Sequence, residues 1–515
     1  MTTKAQALTI ITLGATLVVA SAQTTQTVAA APAAPPPALS ATEQTIKDIK
    51  NPVSWMSWGA DLRLRNEYFY DLITLNPHAP LHEQDYFRFR GRIWTSITPV
   101  EDLSLNVRLA SEPREWMDPA GYSPMSLKPP HLTPPPPTYG KVGPDWTEGV
   151  IDNLNVKWKN ILGQPLTATV GRQDLFLGDG WLVGDGTPFD GSWTYFLDSA
   201  RLAYEIKDLH TTVEAIGIIQ SAHDSDWLPV IGANQNRMFT EQNEKGAILQ
   251  IANTSMKAAN LTGYFIYKHD DATTMTLAQA QSFHPDNADI YTLGGRVNGL
   301  LSEHWKYWAE GAYQFGRKDY PILGPSQNPL FTAPAGTFRD IDAFGFNSKL
   351  SYMFKDKLNN QLTMSFEFLS GDNPNSKDDE MFDVLWGRWP RWSEIGLYMF
   401  PAETRVGQEA NLIRFGPTWT VNPIKDLEFS ASYYALFSPQ DVPTLGATQT
   451  PATPASARLF TDTGNFRGHF ASAALKYKFS QHMSGHLWSE FLFPGDYYVY
   501  RDMMTFLRAE VMFTF

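Results

Sequence analysis

Arg88, Arg90 and Arg92 recur at every second position of the segment DYFRFRGR, residues 85–92. Successive side chains of an extended chain point to opposite faces, so these three guanidinium groups share one edge of a strand. A planar guanidinium grips a carboxylate through two parallel hydrogen bonds. The chemistry on offer is therefore recognition of an anion, or cross-strand pairing with Asp and Glu. Arg63 and Arg65 repeat the spacing in DLRLRNEYF, and Arg108 stands opposite the apolar set of LSLNVRLA. The same rule of apolar residues on one face and charge on the other selects Arg296, Lys349, Arg414 and Arg508, with Lys157, Arg201, Lys306 and Lys476. It also selects carboxylates for that face: Asp61, Glu67, Glu205, Glu214, Glu310, Glu367, Glu428, Glu490 and Glu510.

Bond-making chemistry has little support. GDGWLVGDG (178–186) superficially resembles a phosphate-cradling loop, but it lacks the strand–GxGxxG–helix setting and the P-loop lysine. Its Gly-Asp pairs suit tight turns. The histidines are scattered, with HEQD (82–85) alone and no HExxH spacing, and no GxSxG is present. There is no cysteine, which removes thiolate chemistry and Cys-based metal sites. No enzyme activity, metal or cofactor is expected. The net charge of -13 argues against a general nucleic-acid binder.

The elements that must carry these residues follow from period-two alternation, which dominates from residue 56 onward. AFGFNSKLSYMF (343–354), QLTMSFEFL (361–369), LEFSASYYALF (427–437) and the final MTFLRAEVMFTF are examples. Short links (98–102, 160–165, 206–208, 300–304, 354–357, 422–426, 480–484) alternate with long loops (114–149, 175–196, 221–244, 270–287, 317–340, 371–409, 439–465). Three links share VEDL or IKDL. This layout predicts an all-β, closed antiparallel transmembrane barrel of about eighteen strands, because in lipid an open sheet edge would leave backbone groups unpaired. A propeller would show repeats of roughly 40–50 residues, and none is found.

Lys4, the apolar stretch 8–20 and Ala20-Ser21-Ala22 read as a signal peptide over 1–22. Residues 23–52, rich in Ala and Pro at first, read as a periplasmic linker, and 53–515 as the barrel. Location in a bacterial outer membrane follows. Trp55, Trp58, Tyr68-Phe69-Tyr70 and Tyr497-Tyr498 are expected at the membrane–water boundary. The terminal Phe515 resembles the signal read by barrel-assembly machinery. Expected partners are outer-membrane lipid and lipopolysaccharide, with the acidic loop SKDDE (376–380) either solvated or bridged to it by divalent ions.

A barrel this wide leaves an aqueous path unless loops plug it. Two readings of its inward charges stay open: arginines paired with carboxylates to stiffen a wet wall, or a positive lining for an anionic solute.

Several segments, read in order, resemble the alginate-export family of outer-membrane proteins. They are DLRLRNEYF, DYFRFRGRIWTSITPVEDLSLNVRL, TVGRQDLFLGDGWLVGDGTPFDG with FLDSARLAYE after it, and GDNPNSKDDEMFDVLWGRW. The resemblance implies an eighteen-stranded barrel whose arginine-rich pore passes anionic polysaccharide. It adds Arg172 to the basic positions already named, namely Arg63, Arg65, Arg88, Arg90 and Arg92. Trp181, and GRWPRWSE (387–394), depart from the family pattern. A general nutrient-uptake porin with structurally paired charges is the alternative, and a barrel adhesin or enzyme a further one.

Overall fold

In the computed structural model the described residues are 41–72, 74–79, 82–118, 146, 149–184, 196–222, 227–232, 242–272, 287–319, 338–373, 376–403, 409–440, 458–461 and 464–515. The expected signal peptide and most of the expected linker lie outside them. The linker's last part, Ala41–Lys50, is a helix, α1.

The strands are β1 (Met56–Tyr70), β2 (Glu83–Val100), β3 (Leu103–Ser111), β4 (Arg114–Asp118), β5 (Val150–Trp158), β6 (Leu166–Arg172), β7 (Asp198–Ile206), β8 (Thr211–Gln220) and β9 (Gln242–Asn253). They continue as β10 (Asn260–Ala272), β11 (Asn287–Leu300), β12 (Trp305–Asp319), β13 (Phe338–Met353), β14 (Gln361–Leu369), β15 (Leu412–Ile424), β16 (Leu427–Phe437), β17 (Phe466–Lys478), β18 (Met483–Pro494) and β19 (Met504–Thr514). A second helix, α2 (Glu394–Glu403), interrupts the connection from β14 to β15.

Every strand pairs antiparallel with its neighbours, and β19 pairs with β1, which closes the ring. Ala60 and Phe515 exchange backbone hydrogen bonds of 3.2 and 2.8 Å at that seam. β3 and β4 both pair with β2 and form one stave broken at Glu112-Pro113, so the ring has eighteen staves. Proline cannot donate to the ladder. Its carbonyl still accepts from the Phe89 N–H at 3.0 Å, which keeps the broken stave attached.

Short turns gather at one rim and long connections at the other, as the alternation of link lengths predicts. In VEDL and the second IKDL, Asp102 (φ 69°) and Asp426 (φ 68°) take the left-handed position that Asp tolerates. The first IKDL differs: Lys207–Leu209 forms a 3₁₀ turn and His210 (φ 47°) takes that position. The turn at 254–259 and the long connections at 71–82 and 495–503 were not expected from sequence. Pro77 and Pro80 in the first long connection and Pro494-Gly495 at the second are turn signals, and the turn at 254–259 has neither Gly nor Pro.

Side-chain parity follows the pattern read from sequence. Leu62, Leu64, Ile93, Leu105 and Leu109 are exposed outward, while Arg63, Arg65, Arg88 and Arg90 are buried inward. Three aromatics placed at the membrane boundary need correcting. Phe69 falls on the inward parity, and Tyr497 and Tyr498 lie in the β18–β19 connection; all three are buried inside the barrel. They join an interior cluster that includes Phe382, Trp386, Phe400, Phe460 and Phe470. An apolar core inside so wide a ring is possible only because loops fold into it.

Candidate functional site

Two loops fill much of the lumen. Residues 176–184, in the β6–β7 connection, form a hairpin closed by the Phe176–Gly184 bridge, with Gly178 (φ 62°) and Gly180 (φ 77°) at its tip. A side chain at Gly178 would collide with the guanidinium of Arg296, so the tip sits directly on the β11 wall. The hairpin pairs in turn with the β14–β15 connection: Trp386 donates to the Leu182 carbonyl (3.0 Å) and Gly184 to the Trp386 carbonyl (3.1 Å). Trp181, where the chain departs from the family pattern, donates its indole N–H to Glu367 at 3.0 Å and stacks on Phe382.

The β1–β2–β19 wall holds the densest charge. The register sets Arg63 beside Arg90, and Arg65 beside Arg88. Like charges directly opposite are destabilising, and carboxylates inserted among them offset this. Glu112, at the break in the third stave, pairs with Arg63 and, at 2.7 Å, with Arg88. Glu67 receives Arg65 (3.3 Å), Arg88 (3.2 Å) and Arg508 (2.5 Å). Glu510 receives Arg65 at 2.6 Å, and Asp61 receives Arg92 at 2.5 Å and Arg90 at 3.5 Å. Glu394 of α2 reaches Arg508 at 2.9 Å, and Arg114 comes to 3.7 Å from Glu112. Seven arginines thus share five carboxylates.

The remaining basic candidates are spread round the ring, each beside an acid. Arg108 bridges Asp152 and Asp174, both at 2.7 Å. Arg172 pairs with Asp198 at 2.9 Å under the Phe196 ring. Arg296 faces Glu310 at 3.6 Å, Arg414 meets Glu367 at 2.8 Å, and Lys349 pairs with Asp179 of the hairpin. The arginines of β2 sit in a paired and largely buried mesh: Arg88 is 2% exposed and Arg90 3%. More accessible cationic side chains are Arg92 and Arg108 (15% each), Arg114 (27%) and Lys349 (33%).

Roughly halfway round the ring the balance reverses. Lys268, fully buried on β10, is 3.2 Å from Glu244, 3.1 Å from Asp270 and 3.5 Å from Asp383 of the inward loop. Arg388 supplies a second cation, pairing with Glu244. Two cations here face three carboxylates. A complete loss of any partner would strand buried charge, which costs roughly 3–5 kcal/mol.

Loop groups are perturbed as well. Burial, reinforced by Asp502, pushes the Asp71 carboxyl up to about 7. Burial and the nearby Glu367 raise Glu409 to about 8, although the Trp392 indole donates to it at 2.6 Å. Burial lowers Arg391 from its ordinary value, against the pull of Asp179.

Glu112, Asp152, Asp174, Asp179, Asp198 and Glu394 escaped the sequence reading. Four sit at strand breaks or in loops, where alternation gives no parity. For Glu112 a signal existed: an acid directly before Pro113 and Arg114, next to a stave rich in arginine. Among the described residues no cluster of His, Cys, Asp and Glu is arranged to hold a metal ion.

The sequence model of the alginate export family matches residues 143–509. No curated protein matches the chain. Solved structures similar to it include Pseudomonas aeruginosa OccK8 (OprE), 12% identical with a TM-score of 0.49, covering 89% of this chain and 98% of that one. Pseudomonas aeruginosa OpdQ (10%, TM-score 0.48, 90% and 98%) and Acinetobacter baumannii OccAB4 (10%, TM-score 0.48, 89% and 98%) are comparable.

Proposed function

The chain belongs to the alginate export family and is an outer-membrane channel of porin type; from that premise we propose that it passes small anionic or polar solutes by passive diffusion along the β1–β2–β19 wall. The observation that carries this reading is the excess of arginine there, seven guanidinium groups to five carboxylates. A wall with cationic surplus lowers the energy of an anion beside it through its field. Arg92 on this wall, with Arg114 and Arg108 on the adjoining third stave, are placed to meet a solute carboxylate, since their side chains retain accessible surface. Arg63, Arg65, Arg88, Arg90 and Arg508 act from behind, as field and scaffold. Arg172, Arg296, Lys349 and Arg414 extend the basic lining round the ring.

The family name implies alginate, an anionic polysaccharide. A small solute fits the arrangement better than a polymer, because the 176–184 hairpin and α2 both lie inside the barrel. Transport without covalent chemistry is the proposed activity. Outer-membrane lipid is the proposed surrounding, and assembly through the Phe515 strand end the proposed route.

A second reading has a specific observation behind it. All eleven candidate basic residues have carboxylate partners, which is what a general uptake porin with structural charge pairs would show. Reversal potentials of the full chain in planar bilayers under a KCl gradient separate the two. Anion preference, weakened in Arg92→Ser and Arg108→Ser, supports the first; cation preference, or no preference, supports the second.

A further inference from the structure

The β14–β15 connection crosses the lumen from one wall to the other and is held differently at its two ends. Near β12 and β13 it is knitted to the wall through the backbone, where Asp379 donates to the Asp340 carbonyl at 2.8 Å and accepts from the Asp342 N–H at 3.0 Å, and the Gln314 side chain adds to this hold. Asp383 donates its N–H to Gln314 Oε1 at 2.9 Å and accepts from Gln314 Nε2 on its carbonyl at 2.6 Å. The pairing of Trp386 with the hairpin, described above, adds two more backbone bonds. Near β18–β19 the polar hold passes through wall side chains instead. Glu490, fully buried on β18, accepts from the Ser393 hydroxyl at 2.9 Å and from the N–H groups of Glu394 and Ile395, each at 2.9 Å. Arg508 donates to Glu394 at 2.9 Å.

This arrangement exceeds what a helix end needs for itself. Ser393 already caps α2, accepting from the Gly396 N–H at 3.0 Å. One orphan N–H is thereby satisfied from within the segment, as in most helices. Glu490 supplies a second, external cap from the barrel wall, its carboxyl oxygens accepting at the N-terminal end of the helix. The cross-bracing is reciprocal: a wall carboxyl group holds the helix terminus, and a wall cation holds the helix's own first carboxylate. Such a joint can part without unpairing any strand, at the cost of uncovering Ile395, Met399 and Phe400, whereas the β13 end cannot move without breaking backbone–backbone bonds.

We propose that Glu490 is a releasable latch which holds α2 across the lumen, so that the passage widens when Ser393 and the first turn of α2 leave it. Release leaves the barrel ring intact and pivots the segment on its knitted end. The effect is steric and applies to cations and anions alike, so it stands apart from the charge preference of the wall.

The test is single-channel recording of the full chain in planar bilayers, with wild type, Glu490→Ala, Ser393→Ala and Glu303→Ala. Loss of the three hydrogen bonds to Glu490 should raise the ratio of released to latched states at least about tenfold. Glu490→Ala should therefore show long-lived high-conductance states in both KCl polarities, and Ser393→Ala a weaker version. Glu303→Ala removes a carboxylate from an exposed turn and should record as wild type. Heat-modified gel mobility establishes that each barrel is folded. Unchanged open probability and conductance in folded Glu490→Ala would overturn the latch. If that variant does not fold, an unchanged Ser393→Ala overturns it, and so does an equal rise in Glu303→Ala.

Discussion

The wall of β1, β2 and β19 and the wall near β9 and β10 bury charge by the same device and balance it in opposite directions. On the first, arginines are the majority, and Glu112 and Glu67 are the few acids set between them. On the second, carboxylates are the majority, and Lys268 is the cation set among three of them. In each mesh the minority residue bonds to the most neighbours and has the most to lose. The majority sign instead sets the field, which runs across the lumen from one wall to the other. Whole-chain net charge could not have shown this, because it averages walls of opposite surplus.

The largest effect should come from removing a minority residue. Lys268→Met leaves Glu244, Asp270 and Asp383 buried together and should cost roughly 3–5 kcal/mol, read from urea unfolding in detergent. Glu112→Gln should follow with about 1–3 kcal/mol, since Glu67 still serves Arg88 and Glu510 lies near Arg63. If Glu112→Gln is neutral, the arginine wall does not depend on its inserted acids and the parallel between the walls fails.

Changes to the majority sign should touch selectivity more than stability. One unit charge about 10 Å from a solute in water is worth about 0.4 kcal/mol, or roughly a twofold ion ratio. Asp61→Asn, which removes one carboxylate from beside Arg90 and Arg92, should move the reversal potential toward anions by about that amount. Arg114→Ser should move it the other way by a similar or smaller step, because Arg114 is the more exposed. A shift toward cations in Asp61→Asn would show that the wall is not on the solute path.

The smallest effect concerns the loop above the arginine wall. Asp71 is an acid whose folded value is raised to about 7, so the folded loop favours its protonated form. Stability from that proton is present at low pH and is lost as pH rises from the ordinary carboxylate range through about 7. Hydrogen exchange in 71–82, corrected for its intrinsic pH dependence, should quicken between pH 6 and pH 8 and lose that response in Asp71→Asn. An identical response in the variant would assign it to another group.

Much of the ring was readable from sequence because alternation is a strong signal when one face meets lipid. The inward parity of Arg63, Arg65, Arg88 and Arg90 follows from their outward neighbours, and the Asp-Leu turns from residues that tolerate positive φ. What was unreadable shares one cause. Asp174, Asp179 and Glu394 come from loops, where no period says which way a side chain points. Phe69, Tyr497 and Tyr498 have the composition of a membrane girdle, and only the fold of the neighbouring loops turns them into core. The basic residues and their strand-borne partners Asp61, Glu67, Glu310, Glu367 and Glu510 were therefore visible, while the acids that loops bring to them were not.

The seam between β1 and β19 has a consequence for how the ring is completed. Arg65 stands opposite Glu510 and Glu67 opposite Arg508. A slip by one residue would send these charges to the lipid face. A slip by two keeps them in the lumen but sets Arg65 against Arg508 in one direction, and Glu67 against Glu510 in the other. The two pairs thus act as a key cut for a single lock position, and the last joint of the barrel checks its own alignment.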